Sequence, residues 1–178
     1  PPPRRPRTGC LAIDGCSPLT SLSSPVRVYR YTSHTFSGCA TLATITIPDG
    51  VTSIGDGSFY YCTSLTSITV GTGNVNYTDL NGVLFSKDKD LLIAYPAAKS
   101  DNVYAIPDGV TSIGERAFDG CSALTSITIS DGSTTTGKRY PGFNYSIVTS
   151  ITIPDSVTSI RDYAFRGCSS LTSITIPD

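Results

Sequence analysis

VTSITIPDSVTSIRDYAFRGCSS, Val148 to Ser170, is a 23-residue phrase that the chain repeats with variation along most of its length. Within it Ile151 and Ile153 alternate with Ser150 and Thr152, the period-2 pattern of a strand with one buried and one exposed face. Pro154 has no N–H to give a ladder and ends the strand, and Asp155 begins a turn. Val157 and Ile160 then dip inward in a second short extended piece. Ala164 and Phe165 fill the interior beneath it, Gly167 supplies a permissive turn, and Cys168 is a compact buried filler. One such unit is too small to bury its apolar face, whereas a stack of units makes a continuous core. The predicted fold is therefore a solenoid, mainly β with short helical or 3-10 turns.

The period shows in two independent columns. Phe36 with Cys39 steps by 23 to Phe59 with Cys62, and Leu19, Leu42 and Leu65 step by 23 as well. Near the start, AIDGCSPLTS (Ala12–Ser21) matches AFDGCSALTS (Ala117–Ser126), with Ile13 in the Phe position. From Leu65 to Leu124 the interval is 59, one period of 23 plus 36, so one coil carries an insertion. Coils thus begin at Leu19, Leu42, Leu65, near Asp101, and at Leu124, Val148 and Leu171, seven stacked coils of which the last is incomplete. The expected organisation is a Pro/Arg-rich arm and cap over 1–18 and a solenoid over 19–178, with the insertion at 71–102 and a degenerate coil at 124–147.

The bulk numbers agree with a single domain: 178 residues and 39% hydrophobic content. Charge is sparse at 15% and sums to −1, which argues against a nucleic-acid partner or an electrostatic grip on anionic lipid. No apolar run approaches the ~18 residues that span a bilayer. The sequence holds no methionine, so a removed leader or a longer parent chain is expected, and a removed leader favours export.

The phrase Leu-x-x-Ile-x-Ile-Pro-x-x-Val-x-x-Ile-Gly-x-x-Ala-Phe-x-x-Cys, clearest in Leu42–Cys62 and Val148–Cys168, resembles the BspA-type leucine-rich repeat. The resemblance runs from Ala12 to Asp178. Two coils depart from it: VYRYTSHTF replaces VTSIGDGSF at 28–36, and STTTGKRYPGFNYS at 133–146 lacks the Cys. The insertion NYTDLNGVLFSKDKDLLIAYPAAKS (76–100) resembles one that recurs in such proteins, a hairpin of GVLFS and LLIAY around KDKD. The resemblance implies a curved or twisted solenoid. It also implies an extracellular or cell-surface setting with a protein or matrix partner, and no shared chemistry.

Of the six cysteines, Cys16, Cys39, Cys62, Cys121 and Cys168 share one repeat position and read as a buried filler column. Adjacent coils about 5 Å apart permit bonds among Cys16, Cys39 and Cys62. Cys121 and Cys168, about 10 Å apart, are too distant to bond. Cys10 stands off the column, which makes Cys10 to Cys16 the preferred disulfide, closing the N-terminal cap. His34 is the only histidine and lacks a serine elbow, so it reads as a surface or turn residue. The aspartates after the proline, Asp49, Asp108, Asp155 and Asp178, with Asp131 in the same slot, are explained by turn formation; calcium is the less economical account. No catalytic residue, metal cluster or cofactor motif is expected.

The exposed strand face presents hydroxyl ranks: Thr44 and Thr46, Ser67 and Thr69, Ser126 and Thr128, Ser150 and Thr152, Ser173 and Thr175. Such a face suits solubility, and it also suits docking of an extended protein partner or a glycan. Ice binding is a remote alternative. Aromatic and basic residues concentrate in the loops 71–102 and 131–147, namely Tyr77, Phe85, Tyr95, Lys138, Arg139, Tyr140, Phe143 and Tyr145, the residue types that form binding hot spots. Sequons at Asn76 and Asn144 fall in those same loops. The leading expectation is a non-enzymatic adhesion or protein-interaction module. The runner-up is a filament subunit stacked head-to-tail through the open edge of Leu171, Ile174 and Ile176, with PPPRRPRTGC as a polyproline arm.

Overall fold

In the computed structural model, the 23-residue phrase takes shape as two strands per coil. The structure describes residues 10–11, 20–23, 28–129, 135–136, 148–155, 157, 159–160, 165 and 167–176. The first strands form two parallel sheets. One holds β2 (Ser21–Ser23), β4 (Thr44–Ile47) and β6 (Ser67–Val70); the other holds β10 (Val103–Ala105), β12 (Ser126–Thr128), β14 (Ser150–Thr152) and β16 (Ser173–Thr175). Register follows the repeat, with Ile45 opposite Ile68, Ile127 opposite Ile151 and Ile151 opposite Ile174. Alternation turns Ile45 and Ile47 inward and Thr44 and Thr46 outward, as period 2 requires.

The second strands are shorter. β1 (Cys10–Leu11), β3 (Arg30–Tyr31) and β5 (Ser53–Ile54) form a parallel sheet, so Cys10 and Leu11, expected in a cap, already belong to the stack. β11 (Ser112–Ile113), β13 (Thr135–Thr136) and β15 (Ser159–Ile160) continue the column further along.

The expected helical or 3-10 turns do not form: among the described residues there is no helix, and 33–38, 56–61 and 115–120 are runs of turns. Each run contains two residues with positive φ, namely His34 and Gly38, Gly57 and Tyr61, and Arg116 and Gly120. A left-handed residue interrupts a right-handed helix wherever it stands.

The insertion is a three-stranded antiparallel meander: β7 (Tyr77–Leu80), β8 (Val83–Ser86) and β9 (Leu91–Ala94). The expected hairpin of GVLFS and LLIAY is its second half. Its first turn is the dipeptide Asn81-Gly82, with φ of 51° and 81°, the pair that a two-residue hairpin favours. β9 then pairs in parallel with β11, so the meander re-enters the second-strand column.

The meander divides the interior. Val83, Phe85 and Leu92 pack in one core with Ile106, Val110, Ile113 and Phe118. Leu84 and Ala94 pack in the other with Leu42, Ile45, Leu65 and Ile68. Val83, Leu84 and Phe85 are all buried, so β8 has a wall's two inner faces rather than one.

Candidate functional site

Hydroxyls bordering the first-strand sheets hold the coils in register. Thr66 Oγ1 donates to Ala43 O at 3.0 Å, Thr125 Oγ1 to Asn102 O at 3.0 Å, Thr149 Oγ1 to Thr125 O at 3.0 Å and Thr172 Oγ1 to Thr149 O at 3.1 Å. In each case the backbone N–H of the same threonine donates to the same carbonyl, at 2.7–3.0 Å. The next residues outward make the surface: Thr44, Thr46, Thr69, Thr128, Thr152, Ser173 and Thr175 are exposed, and Ser67, Ser126 and Ser150 are half-buried. Ser126 Oγ and Ser150 Oγ lie 3.2 Å apart.

This hydroxyl face is not one plane. Between β6 and β10 the meander intervenes: Ile68 N donates to Gly82 O at 2.9 Å, and Val70 N to Asp79 Oδ1 at 2.8 Å. Gly82 lies so close over Ser67 that a Cβ there would stand 2.7 Å from Ser67 Oγ. On β10 the outward positions are Val103, 64% exposed, and Ala105. The ranks therefore run in two separate sets, one over β2, β4 and β6 and one over β12, β14 and β16. A flat Thr-x-Thr lattice of the kind an ice surface needs is thus interrupted after three strands.

The loop aromatics require correction. Phe85 and Tyr95 were expected at a binding surface, yet they are 0% and 3% exposed and belong to the core. An insertion that walls off two cores needs apolar groups on both faces, and this need, rather than recognition, accounts for its aromatic density. Tyr95 Oη donates to Asp101 Oδ2 at 3.1 Å; burial first, and the Asp101 charge second, push that phenol far up. Lys99, 2.9 Å from Asp101, holds the carboxyl below its usual range. Tyr77 is half-buried, and its Oη accepts the Ile54 N–H at 2.9 Å. Asn76 is half-buried with Nδ2 3.5 Å from Val51 O. Leu171 and Ile174 are half-buried at the end of the stack, and Ile176 is 61% exposed. Lys138, Arg139, Tyr140, Phe143, Asn144 and Tyr145 lie outside the described residues.

Cys39 is disulfide-bonded, while Cys62, Cys121 and Cys168 form no disulfide. Of the six cysteines this leaves Cys10 and Cys16 as its possible partners, and either pairing is incompatible with the expected Cys10–Cys16 bond. Cys16 itself lies outside the described residues. Burial pushes the Cys62 thiol up to about 12 and keeps it a core group, with Sγ donating to Phe36 O at 3.1 Å. Among the described residues no group of three or more His, Cys, Asp or Glu side chains is arranged to hold a metal ion. Asp49 Oδ1 accepts the Gly73 N–H of the next coil at 3.1 Å.

A second locus was not anticipated. Three non-glycine residues with positive φ, His34 (62°), Tyr61 (56°) and Arg116 (57°), surround the Tyr60 ring. The Arg116 guanidinium carbon lies 4.0 Å from its centroid, the Tyr61 ring 4.0 Å and the His34 ring 6.3 Å, edge-on. Their repeat columns contain glycines in the same conformation: Gly57 in the column of His34 and Arg116, and Gly38, Gly120 and Gly167 in that of Tyr61. For Tyr61 the signal was legible as a bulky residue among Gly38, Gly120 and Gly167, whereas the column of His34 and Arg116 holds glycine at Gly57 alone. Burial, with help from Tyr61 and Asp119, raises the Tyr60 phenol to about 12. Beside the cluster opens a groove of about 100 Å³ between 54–60 and 114–116, floored by Tyr77, Ile93 and Ala94.

The BspA type leucine-rich repeat region matches the chain in six copies over residues 9–92 and 97–178, against seven coil starts in the leucine column. Among solved structures, the pneumococcal vaccine antigen PcpA superposes with a TM-score of 0.72 at 24% identity, covering 88% of this chain and 47% of that one. A leucine rich cell surface protein from Faecalibacterium prausnitzii gives 0.62 at 27% identity, covering 89% and 54%. A leucine-rich repeat protein from Eubacterium ventriosum gives 0.57 at 22%, covering 88% and 54%. The chain thus spans about half the length of these structures. No curated protein matches it. No helix of the described residues is long and apolar enough to cross a membrane. With the repeat matched on both sides of the meander and the stacked coils in register, the chain belongs to the BspA-type leucine-rich repeat family.

Proposed function

We propose that the chain is a non-enzymatic binding module of a cell-surface or secreted protein, and that it engages a protein partner through the hydroxyl face of β12, β14 and β16. The observation that carries this reading is the in-register display of Ser126, Ser150 and Ser173 beside Thr128, Thr152 and Thr175, a surface with neither charge nor large apolar groups. Such a surface is rigid, because each coil is clasped to the next by the threonine hydroxyls, so docking on it orders few side chains. Similarity at 27% identity to a protein described as a leucine rich cell surface protein supports the setting.

The test is biolayer interferometry of the immobilised chain against purified extracellular-matrix and secreted proteins. At least one partner should bind with Kd on the order of micromolar. The double substitution Thr128→Glu with Thr175→Glu, at positions two strands apart, should abolish that binding with little change in thermal unfolding. Binding that persists with both charges in place would exclude this face.

A further inference from the structure

We propose that the Tyr60 cluster and its adjoining groove form a carbohydrate subsite that takes one neutral pyranose ring. Tyr61 is 54% exposed, and its ring leans on Tyr60 at 4.0 Å. Its outer face is open to solvent, a platform for the C–H edge of a sugar, which carries partial positive charge toward the negative face of an aromatic ring. Arg116 covers Tyr60 from another side, and the His34 imidazole sits where a Cβ on Gly57 would come within 3.2 Å of Nε2. These contacts hold the Tyr60 ring, which lines the groove and on which Tyr61 leans.

The polar groups beside it suit hydroxyls. Asp56, Glu115 and Arg116 line the groove and bring carboxylate and guanidinium groups to one small opening, while Ser58, also in its lining, gives its hydroxyl to Gly55 O and Thr32 O. Both signs of charge meet there, so a cationic or anionic side chain would find an opposing and a like charge together. A neutral group with donors and acceptors around its rim can use both. About 100 Å³ is room for a single ring-sized group rather than a length of chain.

The backbone gives a separate argument. Glycine stands without strain at positive φ, and this fold uses it in these same columns at Gly38, Gly57, Gly120 and Gly167. At His34, Tyr61 and Arg116 the chain instead accepts strain to place side chains, and all three converge on one ring. Core packing does not require Tyr61, since its ring is largely outside the core. The site is separate from the hydroxyl face and stands or falls independently of it.

The experiment is saturation-transfer NMR of the whole chain with the methyl glycosides of glucose, galactose, mannose, N-acetylglucosamine and N-acetylgalactosamine. At least one should show transfer, with Kd on the order of millimolar. Tyr61→Gly should weaken that binding by about tenfold or more. The same substitution should raise Tm by about 2–4 °C, because it relieves the backbone. Tyr61→Phe should retain binding. Absence of transfer from every glycoside, or equal binding by Tyr61→Gly, overturns the proposal. Loss of a peptide ligand in Tyr61→Gly, with no glycoside bound, overturns it in favour of a protein contact.

Discussion

The backbone N–H of Val70 donates to the side-chain Oδ1 of Asp79 at 2.8 Å, so a carboxylate takes the place of the ladder carbonyl that the next coil would supply. β6 would otherwise present an open edge in the middle of the stack. Asp79→Ala leaves the N–H of a buried residue without its acceptor and should cost about 1–3 kcal/mol. Asp79→Asn keeps an acceptor and should cost less. Thermal unfolding followed by circular dichroism compares them; equal midpoints for Asp79→Ala and the natural chain would show that the cap contributes nothing.

Phe85 separates a structural wall from a recognition loop. Fully buried against Leu92 and Phe118, it should cost about 3–5 kcal/mol as Phe85→Ala. Asp88→Ala at the exposed tip should change stability by less than ~0.5 kcal/mol. Urea unfolding of the two variants measures the contrast.

Asp119 predicts a pH dependence. It is 9% exposed, its Oδ2 has no hydrogen-bond partner, and burial raises its carboxyl from 3.8 to about 6 despite the lowering effect of Arg116. The folded state therefore holds this proton at pH values where the unfolded chain has released it. Stability is fully present below about pH 4 and falls as pH rises through 6, by about 2–3 kcal/mol. Asp119→Asn should flatten that slope and be the more stable form at pH 7. A melting curve series from pH 4 to 7 decides it, and a slope unchanged in Asp119→Asn would assign the effect elsewhere.

The threonine clasp predicts a graded effect. Thr149→Val keeps the shape and loses the 3.0 Å bond to Thr125 O, which should cost about 0.5–1.5 kcal/mol. Thr172→Val should behave likewise, and amide hydrogen exchange of the flanking strands should quicken in both. Unchanged exchange would mean that the backbone bonds alone hold the register.

Much of the repeat was legible because its determinants are local. Ile151 and Ile153 alternate with Ser150 and Thr152, Pro154 stops the strand, and the same letters return 23 residues on, so strand, turn and stacking follow from one coil's chemistry. The hydroxyl face was legible for the same reason, since period 2 assigns its members without reference to anything distant. Less was visible in the insertion. Its Asn81-Gly82 turn was present in the letters and marks β7, but nothing local indicates that both faces of β8 would be covered, which is why Phe85 and Tyr95 looked like surface residues.

By itself, then, the sequence determined the solenoid, its period, its inward isoleucines and its outward hydroxyls, because each depends on the order of residues within one coil. Only the tertiary structure decided that the meander partitions the interior, that Cys39 takes part in a disulfide, and that His34, Tyr61 and Arg116 meet around Tyr60. Those relationships join residues from different coils. Their distances are set by how the coils stack and by the left-handed turns that aim each side chain, and neither quantity is contained in any one repeat.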